Sequence, residues 1–230
     1  MADEINAAGG DALAIAGSVT DPAFPDHLMK TTIETHGKLN ILANNAGFTW
    51  DGVVHKMTDE QWQAILDVHA TAPFRMIRAA TPYMRDAAKA EQAAGGEVEP
   101  RCVINVSSTS GLHGNFGQAN YATGKMGVIG LTKTIAKEWG SFGVRCNAVA
   151  FGYIDTRLTG AKEAGEAIDV DGKEVALGIP DKLRGNMTML IPLGRPATPD
   201  EAAGGILMLA SPYASYITGH TLEVTDGAGI

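Results

Sequence analysis

The sequence predicts an α/β fold, in which a parallel sheet is flanked by helices. Near-continuous apolar runs such as Lys38–Ala43 and Val144–Ala150 are typical of strands buried on both faces of a parallel sheet. Between the runs lie helical segments with strong start signals. Thr58-Asp-Glu-Gln61 and Thr198-Pro-Asp-Glu201 are both capping-box patterns. With 230 residues the chain is long enough for one domain with a real core, which we assign to residues 1–230.

Composition and charge restrict the class of protein. The chain is 45% hydrophobic and 19% charged, as is usual for a globular protein, and its formal net charge is −8. This acidic balance argues against a nucleic-acid partner. The sequence contains no run of about 18 apolar residues, so no membrane helix and no membrane partner are predicted. The start Met1-Ala-Asp-Glu-Ile5 lacks the pattern of a signal peptide, and we expect a cytoplasmic protein.

The two cysteines, Cys102 and Cys146, both fall in predicted buried strands. Free cysteine behaves as a small hydrophobic side chain, so the interpretation as core residues is favoured over a disulfide or a metal site. We therefore predict no metal centre.

The first 36 residues predict a helix, a short strand and a second helix. Residues 2–8 look like the end of a helix that the pair Gly9-Gly10 stops. Ala12–Gly17 is interpreted as a short strand, and Ser18–Asp21 as the turn that leaves it. A helix from about Pro22 to His36 follows.

The later elements alternate between strands and helices. A long helical region is predicted from Thr58 to about Ala90. After residue 157 the sequence is mixed, and Asp171-Gly172 between two short apolar runs predicts a hairpin. A helix is expected to begin at Thr198. The remaining predicted elements are the strand Lys38–Ala43, the strand Cys102–Ser108, a helix that contains Tyr121, the strand Val144–Ala150 and a last strand Thr221–Val224.

Tyr121 and Lys125 form the strongest candidate for acid–base chemistry. Residues four apart on a helix lie on one face. A free phenol has a pKa near ~10, and an ammonium beside it is expected to lower that pKa by about 1–3. Ser108 ends a predicted strand, where its hydroxyl is suited to hold a carbonyl oxygen while Tyr121 protonates it. The alternative is an ordinary surface pair of tyrosine and lysine.

Five motifs in a fixed order resemble one enzyme family, the short-chain dehydrogenases/reductases. The ending and the form Gly-Gln-Ala-Asn-Tyr are most similar to 3-oxoacyl-(acyl-carrier-protein) reductases. The motifs are Asn44-Asn-Ala-Gly47, Cys102-Val-Ile-Asn-Val-Ser-Ser108, Gly117-Gln-Ala-Asn-Tyr-Ala-Thr-Gly-Lys-Met-Gly-Val128, Pro192-Leu-Gly-Arg-Pro-Ala-Thr-Pro-Asp-Glu201 and Tyr216-Ile-Thr-Gly-His-Thr-Leu-Glu-Val224.

This resemblance implies a Rossmann-like doubly wound parallel sheet and an oxidoreductase that uses NADP or NAD. The implied reaction is reduction of a carbonyl, most of all of a 3-oxoacyl thioester to its 3-hydroxyacyl form. The implied catalytic residues are Ser108, Tyr121 and Lys125. His69 stands where the family has an asparagine that holds a proton-relaying water. It is therefore either a relay with different geometry or a tolerated packing residue.

The resemblance also implies a set of cofactor-binding residues. Asn44-Asn-Ala-Gly47 lies against the cofactor in the family, although a plain turn is the alternative. Two further positions depart from the family pattern beside the cofactor: Ser18 replaces an aspartate and Phe151 replaces a proline. The expected cofactor-binding residues are Val19, Asn44, Ala46, Gly47, Tyr121, Lys125, Gly152, Ile154 and Thr156.

By the same resemblance, residues 157–193 are expected to form a substrate lid, and the chain is expected to form a homodimer or homotetramer. Acyl carrier protein is a candidate partner. Related reductases often place an arginine where this chain has Phe142. A small ketone, a sugar alcohol or a steroid therefore remains an alternative substrate.

One family feature is not found in the sequence. The family carries Gly-x-x-x-Gly-x-Gly between its first strand and first helix, where the backbone approaches a pyrophosphate. We predict that the fold lacks the first strand, first helix and second strand of the family. The segment Ala12–Ala16 would then have no neighbouring strand, and Leu39–Ala43 would become an edge. A second hypothesis is therefore a non-catalytic, truncated relative that oligomerises with full-length members.

Overall fold

The structure is a computed structural model, which describes residues 1–170 and 172–228. Its main sheet has four parallel strands in the order β1-β2-β3-β6, and a separate antiparallel pair is formed by β4 and β5. The strands are β1 (Ile41–Asn44), β2 (Arg101–Ser108), β3 (Val144–Phe151), β4 (Ala167–Val170), β5 (Lys173–Ala176) and β6 (Thr221–Val224).

Helices cover this sheet and connect its strands. Two single π-helical turns, Asp67–Thr71 and Pro82–Asp86, join three α-helical segments into one continuous rod. The helices are α1 (Ala2–Ala7), α2 (Phe24–His36), α3 (Asp59–Leu66), α4 (Ala72–Thr81), α5 (Ala87–Ala93), α6 (Thr109–His113), α7 (Ala119–Trp139), α8 (Asp181–Met189) and α9 (Pro199–Ala210).

Both capping boxes predicted from the sequence are confirmed. The Thr58 hydroxyl accepts a hydrogen bond from the backbone N–H of Gln61. The Gln61 side-chain oxygen in turn accepts one from the Thr58 backbone N–H. Thr198 and Glu201 make the same reciprocal pair at the start of α9. Each box satisfies backbone donors that the first turn of a helix leaves free.

The hydrophobic core lies on both faces of the sheet, as the predicted α/β class requires. On one face, Val103 of β2 packs with residues of α2, α4 and α7. On the other face, Cys102 and Ile104 pack with Leu209 of α9. Side chains alternate across a strand, so β2 supplies both halves of the core, and all eight of its residues are buried. The fold class is confirmed.

Two expectations at the sheet edge need correction. Ala12–Gly17 forms no strand, and none of the described strands pairs with it. β1 pairs with β2 alone, which makes it the edge that the sequence predicts. The predicted burial of this strand on both faces is wrong: Leu42 is buried, whereas Ile41 is 50% exposed.

Cys102 and Cys146 are buried and unbonded to each other, which confirms their reading as core side chains. Across the described ranges, no group of histidine, cysteine, aspartate and glutamate has the arrangement of a metal site. None of the helices in residues 1–170 and 172–228 is long and apolar enough to cross a membrane.

The described part of residues 157–193 lines the cavity at the ends of β2 and β3. The predicted hairpin is confirmed by the antiparallel pairing of β4 with β5. Gly172 has a φ of +83°, a conformation that suits glycine in a tight turn. Asp171, the other residue of the predicted turn, lies outside the described residues. Helix α8 follows the hairpin and returns the chain to α9.

Candidate active site

A cavity of about 690 Å³ opens where β2 and β3 end. In parallel α/β sheets, ligands bind outside the carboxyl ends of the strands. Ser108 is the last residue of β2, and it pairs in register with Phe151, the last residue of β3. The cavity contains all four residues predicted to be catalytic: His69, Ser108, Tyr121 and Lys125.

Ser108 is held by hydrogen bonds on both sides. Its hydroxyl accepts a hydrogen bond from the backbone N–H of Ser110 at 3.2 Å, and this bond caps the N-terminus of helix α6. The same hydroxyl donates to the Phe151 carbonyl at 3.5 Å, which is a long contact. The weak donor bond leaves the hydroxyl hydrogen free to turn toward a ligand oxygen in the cavity.

Tyr121 lies in the first turn of α7 and is 9% exposed. The pKa of its phenol is raised to about 12, mainly by burial; the nearby Ser108 hydroxyl lowers this pKa, and the negative charge of Asp51 raises it. The predicted lowering of this pKa by Lys125 is therefore wrong for this structure. The cost of burying a phenolate exceeds the attraction of a lysine that points elsewhere.

Lys125 is 4% exposed and lies one turn after Tyr121 on the same helix face. Its ammonium donates to the Val106 carbonyl at 2.7 Å and lies 5.5 Å from the centre of the Tyr121 ring. Burial lowers the pKa of this lysine from 10.5 to about 8. The amine can therefore gain or lose a proton close to neutral pH.

His69 lies in the first π-helical turn, which directs its ring toward Tyr121. The two rings meet edge to face, with centres 4.9 Å apart and planes at 82°. Nε2 donates to the Phe48 carbonyl at 2.8 Å, because a carbonyl oxygen can only accept. Nδ1 therefore carries the lone pair, and it is buried with no hydrogen-bond partner among residues 1–170 and 172–228. Burial lowers the pKa of His69 to about 3, so the ring is neutral.

Two glycines make room for the His69 ring. A Cβ added at Gly47 would lie 2.3 Å from His69 Cε1, and one at Gly124 would lie 2.9 Å from His69 Cβ. Any larger residue at either position would displace the ring. The predicted motif 44–47 therefore packs directly against His69.

The structure brings together only part of the predicted cofactor-binding set. Val19 packs against the core beside α2, Ala46 is exposed to solvent, and the Asn44 side chain donates to Asn105 Oδ1 at 2.8 Å. None of these three lines the cavity described above. The predicted residues that do line it are Gly47, Tyr121, Lys125, Gly152, Ile154 and Thr156.

The lining residues have the chemistry that a nicotinamide and its ribose require. Gly152 presents backbone without a side chain at the end of β3, and Thr156 offers a hydroxyl. Lys125 is a buried donor that can serve ribose hydroxyl groups. The site therefore fits the nicotinamide end of a dinucleotide.

Sequence reasoning missed the polar wall of this cavity. Gln118 Nε2 lies 3.2 Å from both carboxylate oxygens of Asp51. Asn115 Nδ2 donates to Gln118 Oε1 at 3.0 Å. Gln118 belongs to the motif that contains Tyr121, which was a signal for it, whereas Asp51 lies outside every motif and had none.

The described part of residues 157–193 also lines the cavity, and Arg184 ties this segment to neighbouring residues. Arg184 Nε donates to the Tyr153 hydroxyl at 2.9 Å, and the same guanidinium lies 3.5 Å from Asp155. Lys173 of β5 forms an ion pair with Glu60 at the start of α3. The apolar residues that this segment contributes to the cavity are Leu158, Ile179, Met187, Leu190 and Ile191.

Comparison with known proteins gives a consistent result. The sequence model of the family described as enoyl-(acyl carrier protein) reductase matches residues 1–228. The chain is 38% identical to the 3-oxoacyl-(acyl-carrier-protein) reductase of Synechocystis sp. over 97% of its own length and 78% of the relative. It is 36% identical to the enzymes of the same name from Thermotoga maritima and Staphylococcus aureus. Those alignments cover 91% and 99% of the chain, and 74% and 81% of the relatives.

Proposed function

The chain belongs to the short-chain dehydrogenase/reductase family of oxidoreductases, and we propose that it reduces a 3-oxoacyl thioester to the 3-hydroxyacyl form. The observation that carries this proposal is the convergence of Ser108, Tyr121 and Lys125 in one cavity at the strand ends. The names of the similar proteins support the substrate class.

A nicotinamide cofactor, when bound, supplies the hydride, and the protein supplies orientation and a proton. Ser108 donates a hydrogen bond to the carbonyl oxygen of the substrate. Tyr121 then donates its phenolic proton to the same oxygen. A phenol with a pKa of about 12 is fully protonated at neutral pH, which is the form that reduction needs.

Lys125 and His69 have supporting roles in the proposal. The Lys125 amine holds the ribose hydroxyl groups and returns a proton to Tyr121, for which its pKa of about 8 is suited. The free lone pair of His69 Nδ1 accepts a hydrogen bond from a water that connects to Lys125. His69 does not become charged in this role, because its pKa is about 3.

The cofactor is NADP or NAD, and Gly47, Gly152, Ile154 and Thr156 hold its nicotinamide half in this proposal. Val19, Asn44 and Ala46 are assigned to the adenosine half, which would lie outside the cavity. Residues 157–193 act as the substrate lid of the single domain 1–230. The chain works as a homodimer or homotetramer and takes its acyl group from a thioester, with acyl carrier protein as the candidate carrier.

Titration of the purified chain with NADPH and with NADH, followed by nicotinamide fluorescence, tests the first step of the proposal. We expect saturable binding of at least one nucleotide and its oxidation on addition of acetoacetyl thioesters. Tyr121→Phe removes only the hydroxyl and should lower kcat by a factor of about 10²–10⁴. Phe116→Tyr, which adds a hydroxyl at an exposed ring that is 88% accessible, is the matched control.

The exposed edge at Ile41 favours a second candidate function, that of a non-catalytic subunit that associates with a full-length relative. Absence of nucleotide binding by a folded sample would contradict the reductase proposal. Co-purification with a full-length relative, together with that result, would support the second function.

A further inference from the structure

Asp51 is a carboxylate at the mouth of the candidate active site, and the catalytic roles above do not use it. It lines the same cavity as Ser108 and Tyr121, and its side chain is open to solvent from the cavity. Its negative charge is close enough to act on the Tyr121 phenol. Asp51 therefore lines the cavity in which the proposed function places the reacting carbonyl.

The Asp51 carboxylate is held by a hydrogen bond from the Gln118 side chain. Gln118 Nε2 approaches both oxygens at 3.2 Å, and Asn115 in turn holds the amide oxygen of Gln118. The backbone of Gly52 donates to the Gly117 carbonyl at 2.8 Å, which ties the Asp51 loop to the start of α7. An ionised carboxylate has about four lone-pair positions, so the Gln118 amide leaves acceptor capacity on a side chain that lines the cavity.

The lining of the cavity combines two kinds of chemistry. Asp51, Gln118 and Asn115 are polar lining residues, whereas Leu158, Met187 and Leu190 are apolar. Lys162 acts on Asp51 electrostatically but is not hydrogen-bonded to it. A ligand in this cavity therefore has access to a hydrogen-bond acceptor as well as to hydrocarbon.

We propose that Asp51 is a specificity-determining residue that accepts a hydrogen bond from an amide N–H in the thiol arm of the substrate. This inference rests on the proposed function, because it assumes that the reacting carbonyl lies at Ser108 and Tyr121. The substrate class is a 3-oxoacyl thioester whose thiol carries an amide close to the sulfur. Simple alkyl thioesters lack that N–H donor, so they cannot form the hydrogen bond with the Asp51 carboxylate.

A matched pair of substrates tests the inference. S-acetoacetyl-N-acetylcysteamine carries the amide, and the S-ethyl thioester of acetoacetate does not. The wild-type chain should prefer the first by kcat/KM. Asp51→Asn keeps an oxygen for Gln118 and presents an NH₂ to the cavity. It should reduce the preference about tenfold, mainly through KM, as expected for loss of a hydrogen bond to a charged group.

Three controls separate the specific effect from general ones. Asp51→Glu retains a carboxylate and should keep most of the preference. Asp26→Asn removes an exposed carboxylate on α2 outside the cavity, and it should leave the preference unchanged. Asp51→Ser replaces Asp51→Asn if that variant does not fold, as judged by thermal unfolding. An unchanged preference in Asp51→Asn or Asp51→Ser overturns the inference.

A binding measurement keeps this test independent of turnover. If the wild-type chain reduces neither thioester, the proposed function fails. S-butyryl-N-acetylcysteamine and S-ethyl thiobutyrate, which have no ketone to reduce, are then compared by ligand-detected NMR. Tighter binding of the amide-bearing thioester that is lost in Asp51→Asn supports the inference. Equal binding of the two thioesters by the wild-type chain overturns it.

Discussion

Lys125 should make the stability of this protein depend on pH in a way that a single substitution removes. Its pKa falls from 10.5 to about 8 on folding, because burial penalises the ammonium. Between these values the unfolded chain binds more protons than the folded one, so stability rises with pH. One pKa unit corresponds to 1.36 kcal/mol, and the protonated lysine therefore costs about 3 kcal/mol at pH 7.

About 2 kcal/mol of this cost should be recovered between pH 7 and pH 9.5. Lys125→Met keeps the apolar stem and removes the titrating group. Urea unfolding of both proteins at the two pH values, followed by tryptophan fluorescence, gives the free energies of unfolding. The free energy of unfolding of the wild type minus that of the variant should increase by about 2 kcal/mol between the two pH values.

The comparison cancels every other titrating group, since both proteins share them. Lys133→Met removes an exposed lysine from the same helix and should leave the pH dependence unchanged. If the difference between wild type and Lys125→Met is constant across the two pH values, the argument from burial is refuted.

Two further predictions concern the packing of the site and its lid. Gly47→Ala would place Cβ 2.3 Å from His69 Cε1 and should destabilise the fold by about 1–3 kcal/mol in urea unfolding. In the control Gly130→Ala, the added Cβ on α7 meets nothing within 4 Å, and the substitution should stabilise the protein by about 0.5–1 kcal/mol. Equal effects of the two substitutions on the free energy of unfolding would contradict the packing argument. Arg184→Met removes the contact with Tyr153 and should raise KM several-fold with little change in kcat. In steady-state kinetics, a fall in kcat at constant KM would count against this role for Arg184.

Local signals predicted the elements that carry the site. Thr58 and Thr198 start helices because their capping partners lie three residues away in the chain. Ser108 ends a strand because the apolar run stops there, and Tyr121 and Lys125 share a helix face because of their spacing alone. Each of these inferences needed only neighbours in the sequence.

Features that depend on distant parts of the chain were not predictable in this way. Ala12–Gly17 has the composition of a strand, but strand formation also needs a partner. The contact between Asp51 and Gln118 joins residues 67 positions apart, and only the fold brings them together. The side of the cavity on which a carboxylate lies therefore could not be derived from a motif.

The pKa of Tyr121 shows most clearly where local reasoning fails. A pairwise argument from Lys125 predicts a lower pKa, but burial and Asp51 together raise it to about 12. The ammonium that was expected to stabilise a phenolate donates instead to the Val106 carbonyl. In this arrangement Tyr121 carries its proton at neutral pH and can donate it, but it cannot act as a base. Donation to a ketone oxygen needs the protonated phenol, whereas oxidation of an alcohol needs the phenolate. At neutral pH the site therefore holds Tyr121 as the phenol, which is the form that can donate a proton to a ketone oxygen.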